Sequence, residues 1–153
     1  MENSANSIVI EDPAAAALEP APIPRDWILS GTPRARSTVL AKSHDRTSSI
    51  MVWECTAGRF NWYYSEDETV VVIAGEVFIT IGNGEERRLG QGDMAFFPAR
   101  SSCTWRINDR VKKVAILRKD LPPALGLGIR VWHKFLRMVG LRGQSTLMPA
   151  VNP

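Results

Sequence analysis

The sequence is poor in the residues that build most metal centres. Its 153 residues include two histidines, His44 and His133, and two cysteines, Cys55 and Cys103. That excludes zinc fingers, iron–sulfur clusters with four cysteine ligands, and any site needing three histidines. No disulfide scaffold is needed, because a chain of this length can bury a sizeable core. Long apolar runs are missing as well, and none approaches the ~20 residues of a membrane span. The N-terminus opens Met1-Glu2-Asn3-Ser4 with no basic segment. No signal peptide is read there, so a cytoplasmic location with two free thiols is expected.

A strong charge of one sign is also missing from the middle of the chain. Residues 1–24 carry four acids and no base, residues 25–117 carry 13 bases and 11 acids, and residues 118–153 carry six bases and one acid. The net charge of +3 is therefore an acidic arm and a basic tail around a nearly neutral centre. A nucleic-acid footprint would be basic over one face of the domain, so no nucleic-acid partner is expected.

Three segments follow from the pattern. Residues 1–24 read as a flexible arm, Pro/Ala-rich from Pro13 to Pro24, with little to bury. Residues 25–118 read as all β, with no helix-length period. Runs rich in Val, Ile, Thr and aromatics lie at 48–55, 59–64, 69–74, 76–81, 94–98, 102–107 and 111–117. Turn chemistry separates them at Ala57-Gly58, Gly82-Asn83-Gly84, Gly90 to Asp93, and Asn108-Asp109. Short strands at this spacing predict a sandwich or a barrel. Residues 119–153 change period. Leu125, Ile129, Trp132, Leu136 and Val139 recur at helical offsets, with Arg130, His133, Lys134 and Arg137 on the opposite face. An amphipathic helix is predicted there. It packs on the barrel or on a second subunit, or it lies on an anionic membrane, which its three certain positive charges make the weaker reading.

The densest block runs from Gly58 through Trp62, Tyr64, Glu68 and Gly75 to Glu76, and is followed by Gly92 to Arg100 around Pro98. The spacing from Glu68 to Gly75 and from Gly92 to Pro98, with 16 residues between the two motifs, resembles the cupin superfamily. More narrowly, Trp53-Glu54-Cys55, Gly58, Phe60, Asp67-Glu68, Gly75-Glu76, Gly92-Asp93 and Thr104-Trp105 look like the (S)-ureidoglycine aminohydrolase-type cupin domains. The resemblance covers about residues 37–118. It implies a small double-stranded β-helix, or jelly-roll, barrel that pairs as a homodimer. The matched glycines and Pro98 do structural jobs at turns and strand ends, so they speak for fold and not for chemistry.

In metal-binding cupins, four inward side chains from the two motifs hold a divalent ion. The corresponding positions here are Trp62, Tyr64, Glu68 and Cys103, and Arg100 stands at the second-motif glycine two residues after Pro98. Indole is a donor only and cannot ligate. Tyr64 and Cys103 could ligate as anions, but manganese- and iron-type sites favour imidazole and carboxylate. Neither histidine falls at a ligand position. We therefore expect no metal and no cofactor.

Three readings of the interior remain open. In the first, a metal-free barrel binds a small polar organic ligand, with Trp62, Tyr64 and Trp105 as apolar walls, Glu68 as a charged anchor and Cys103 beside them. Strand parity supports it, since 60, 62 and 64 share one face and 103, 105 and 107 another. In the second, a small enzyme of nitrogen or carbohydrate metabolism uses Glu68 as a base, with Tyr64 or Cys103, in a degenerate site. In the third, the aromatics fill a packed, non-catalytic barrel used for assembly.

Overall fold

The computed structural model describes residues 7–119, with Val131, Trp132 and Lys134 beyond them. The chain divides into two compact units, Met1–Asp120 and Leu121–Pro153.

The first unit contains eight strands: β1 (Glu19–Pro20), β2 (Ile28–Gly31), β3 (Ala35–Lys42), β4 (Ser48–Tyr63), β5 (Asp67–Thr80), β6 (Glu86–Gly90), β7 (Met94–Phe97) and β8 (Ser102–Arg118). One 3-10 turn, Arg25–Trp27, precedes β2. Every pairing is antiparallel, in the order β1-β3-β4-β8-β5-β6, with β2 on β4 and β7 on β5. This is the all-β barrel the pattern predicts. Alternation is plain along β8, where Val111, Lys113 and Ala115 are buried and Lys112, Val114 and Ile116 are not.

Two of the predicted turns are bends inside continuous strands. The runs 48–55 and 59–64 are halves of β4, joined across a register shift between Thr56 and Gly58. The runs 69–74 and 76–81 are halves of β5, which shifts register between Gly75 and Phe78. Asn108 and Asp109 fall within β8 opposite both irregularities. The three strands thus turn a barrel corner together, with bulges supplying the bend. Gly75 explains why glycine is needed there. Its φ is +71°, and a Cβ on it would lie 1.9 Å from the carbonyl oxygen of Arg110. The turns at Gly82 and Gly92 are true turns, with φ of +55° and +88°.

The N-terminal segment expected to be a flexible arm is tied to the barrel over part of its length. Glu19 and Pro20 pair with Ser37 and Arg36, and Leu18 and Ile23 are buried. Arg36 donates to the Leu18 carbonyl at 2.6 Å, and Lys112 to that of Ala14 at 2.6 Å. Composition counts the prolines but not where two apolar side chains land. The predicted C-terminal helix lies almost wholly outside the described residues. Val131, Trp132 and Lys134 are helical and exposed. No helix among the described residues is long and apolar enough to cross a membrane.

Candidate functional site

The barrel interior is built by three strands lying side by side. On β4 and β8, Phe60 stands opposite Trp105, Trp62 opposite Cys103, and Trp53 opposite Lys113. On β5, Ile79 is opposite Trp105. Inward parity therefore collects Trp53, Phe60, Trp62, Cys103, Trp105 and Lys113 on one concave surface. Tyr64 follows β4, and its backbone clamps the turn between β7 and β8. Its carbonyl accepts from Arg100 N–H at 2.7 Å, and its N–H donates to Ser101 at 3.0 Å. Arg100 has φ +66°, the left-handed conformation that the glycine of the family motif would adopt.

The rings form a continuous network. Trp53 meets Trp62 and Trp105 edge-on, with centroids 5.7 Å apart in both cases. Phe60 stacks on Trp105 at 6.2 Å, and Tyr64 stacks on Phe97 at 4.6 Å. Trp27 packs edge-on against Trp62 at 5.5 Å and against Tyr63 at 5.1 Å. Phe60, Tyr64, Cys103 and Trp105 are all buried, whereas Trp62 is half-buried.

At the centre sits a pair that the sequence reading missed. The Lys113 ammonium donates to Glu68 Oε1, and the two residues are only 2% and 5% exposed. The same ammonium lies 4.7 Å from the Trp105 ring centroid, 5.0 Å from that of Trp53 and 5.9 Å from that of Trp62. All three fall within cation–π range. A signal was available, because Lys113 shares the parity of Val111 and Ala115. A lysine on the apolar face of a strand needs a partner inside.

The predicted site residues separate into two groups. Glu68 belongs to Lys113. Tyr64, Cys103 and Trp105 form their own chain. Trp105 Nε1–H donates to the Tyr64 hydroxyl at 3.0 Å, and that oxygen lies 3.6 Å from Cys103 Sγ in a hydrogen bond. Burial pushes the Cys103 thiol and the Tyr64 phenol up from their ordinary values. Both stay protonated at neutral pH, so neither is poised as a nucleophile. Cys55, also buried, is pushed up to about 12 by desolvation. Both cysteines are free.

Against known proteins, a family model described as the EutQ-like cupin domain matches residues 42–115. The barrel has the cupin fold. Among solved structures, this chain is similar to a protein of unknown function of the DUF861 family from Pseudomonas syringae pv. tomato str. DC3000. The identity is 26% and the TM-score 0.63, over 69% of this chain and 46% of that one. The present chain thus spans under half of that protein's length. An ethanolamine utilization protein Q from Salmonella typhimurium LT2 shares 21% identity at a TM-score of 0.50, over 56% of this chain and 69% of that one. The EutQ protein of Clostridium difficile shares 19% at 0.51, over 57% and 64%. These last two likenesses speak for the fold. Among curated proteins none matches the sequence.

Cupins commonly hold a divalent ion, and the residues here do not fit one. Trp62 offers no lone pair, Tyr64 and Cys103 are held protonated, and the Glu68 carboxylate is bonded to an ammonium. Among the described residues no cluster of three or more His, Cys, Asp and Glu is placed to hold an ion. His44 is exposed in the turn between β3 and β4, and His133 lies outside the described residues.

Proposed function

We propose that this cupin is a metal-free binding domain for a small polar organic molecule, of the ureidoglycine aminohydrolase-like type but without manganese chemistry. One observation carries the reading: a lysine–glutamate pair buried among three tryptophans. A well-packed apolar filling of the same volume is commonly as stable or more so. The pair is therefore better explained by recognition than by stability. The ligand meets the half-buried Trp62, where the ring network reaches solvent beside Trp27 and Tyr63. Trp105, Tyr64 and Cys103 form the wall behind it, and Glu68 with Lys113 reads its polar groups. A cytoplasmic homodimer belongs to the same proposal. The two free thiols are in keeping with the location. An exposed apolar row of Ile50, Ile116 and Phe96, on adjacent strands about Thr69, offers the dimer a surface.

The test is a thermal-shift and tryptophan-fluorescence titration with small ureido acids, carboxylates and amines. A ligand at a hundred times its Kd stabilises by about 2.7 kcal/mol, well within reach of the assay. A saturable shift that is lost in Trp62→Ala supports the proposal. The absence of any shift across the panel rejects it.

A second reading, the packed barrel used for assembly, has its own support. Among the described residues every buried side-chain nitrogen and oxygen already has a partner. On that reading the titration stays silent, and Trp62→Ala changes stability alone.

A further inference from the structure

Glu68 stands where a metal-binding cupin keeps its carboxylate ligand, yet its partner is an ammonium carried by the chain. Three tryptophan rings surround that ammonium at 4.7, 5.0 and 5.9 Å. A carboxylate together with aromatic faces is the donor set that recognises an organic cation. It is the wrong set for a divalent ion, which needs several lone pairs directed at it.

We propose that the interior is a monovalent-cation cage, with Lys113 as its resident occupant in the place of the divalent ion. The site is self-ligated: β8 delivers the cation, β5 the carboxylate, and β4 and β8 the rings. The register makes this possible. Trp53 lies directly opposite Lys113, and Trp105 shares the inward parity of Lys113 eight residues earlier on β8. The inference stands apart from ligand binding at Trp62, because it concerns what fills the cage when nothing else is bound.

It predicts which molecule the cage accepts once its occupant is removed. Lys113→Ala deletes a propylammonium fragment and leaves the carboxylate and the rings. The probe is therefore n-propylammonium chloride, read as the midpoint of thermal unfolding of the full chain. Sodium chloride, n-propanol and manganese chloride serve as controls. We expect Lys113→Ala to gain about 3 °C or more at roughly 100 mM n-propylammonium, at least twice the change in wild type. n-Propanol gives less than half of that gain, and Glu68→Gln added to Lys113→Ala abolishes it. Equal gains in wild type and variant, equal rescue by n-propanol, or a preference for manganese would each overturn the proposal.

Should Lys113→Ala not fold, Lys113→Met keeps the bulk of the side chain. The proposal then requires Lys113→Met to melt lower than wild type, and Glu68→Gln added to it to recover most of the loss. A Lys113→Met protein as stable as wild type overturns it. Failure of the wild-type ligand titration leaves these outcomes unchanged, so the two ideas fail separately.

Discussion

Replacing Gly75 by alanine tests whether the barrel corner is built as described. An alanine at φ +71° costs about 1–2 kcal/mol for the left-handed backbone alone. Its Cβ would also sit 1.9 Å from the Arg110 carbonyl oxygen and 3.2 Å from the Val111 Cα. Backbone cannot yield as a flexible side chain does, so β5 and β8 must separate by more than an ångström where Gly75 pairs with Val111. Losing one or two ladder bonds there adds roughly 0.5–3 kcal/mol at about 0.5–1.5 each. The total of about 1.5–5 kcal/mol is a large share of the 5–15 typical of a domain. It lowers the midpoint of thermal unfolding by several degrees, roughly 3–20 °C at about 2–4 °C per kcal/mol for a chain of this size. Gly92→Ala is the internal control, because Gly92 has φ +88° with nothing within 4 Å of a built Cβ. It carries only the backbone cost, about 1–2 kcal/mol. The assay is urea unfolding and calorimetry of both variants at one pH. If Gly75→Ala loses no more stability than Gly92→Ala, the close approach of β5 to β8 is not what holds the corner.

Four further outcomes follow from the interior and the outer face. The thiols resist Ellman's reagent in the folded protein at pH 8, where a Cys55 with a pKa of about 12 is thiolate in only about one molecule in ten thousand, and both react at once in denaturant. The same burial makes stability fall with rising pH. Cys55 moves from 9.0 to about 12, so its contribution is full below pH 9 and is lost as pH climbs toward 12, with Cys103 and Tyr64 adding in the same direction. Urea midpoints at pH 8, 9.5 and 11 check this, and a flat profile refutes it. Trp105→Phe removes the donor to the Tyr64 hydroxyl and costs about 1–3 kcal/mol, because that oxygen is buried. A charge in the apolar row, Ile116→Asp, is expected to halve the mass seen by light scattering while leaving the far-ultraviolet spectrum unchanged.

Much of the fold was legible because β-sheets write themselves in alternation and in turn residues. The runs were found, and the inward parity of 60, 62 and 64 and of 103, 105 and 107 holds apart from Trp62, which is half-buried. Glycine and Asn-Asp signals, however, serve equally for turns and for bulges, so one bent strand reads as two. β3 and β6 escaped notice because their outward faces carry polar residues, as Arg36, Arg87 and Arg88 do. For the site, the spacing around Glu68 pointed to the interior, where Trp62 and Trp105 lie around its partner together with Trp53, which the pattern did not single out. It could not lead to Lys113, because a pairing between positions 68 and 113 depends on register. The reading that set Glu68 beside Tyr64 or Cys103 left their contacts open, and in the structure Tyr64, Cys103 and Trp105 form a chain of their own.

The sheet order has a bearing on how this chain is made. β8, the last of the described strands to be synthesised, lies between β4 and β5 and pairs with both along nearly its whole length. Until residue 118 has left the ribosome, the two longest earlier strands have bare edges facing each other and no Lys113 to neutralise Glu68. Closure brings Ser48 against Arg118, a long loop to close in one step. The nascent chain therefore waits for β8 with one edge of β4 and one edge of β5 bare and prone to self-association. A truncation that removes β8 should leave no partial barrel behind, and chaperone dependence should end abruptly when that strand emerges.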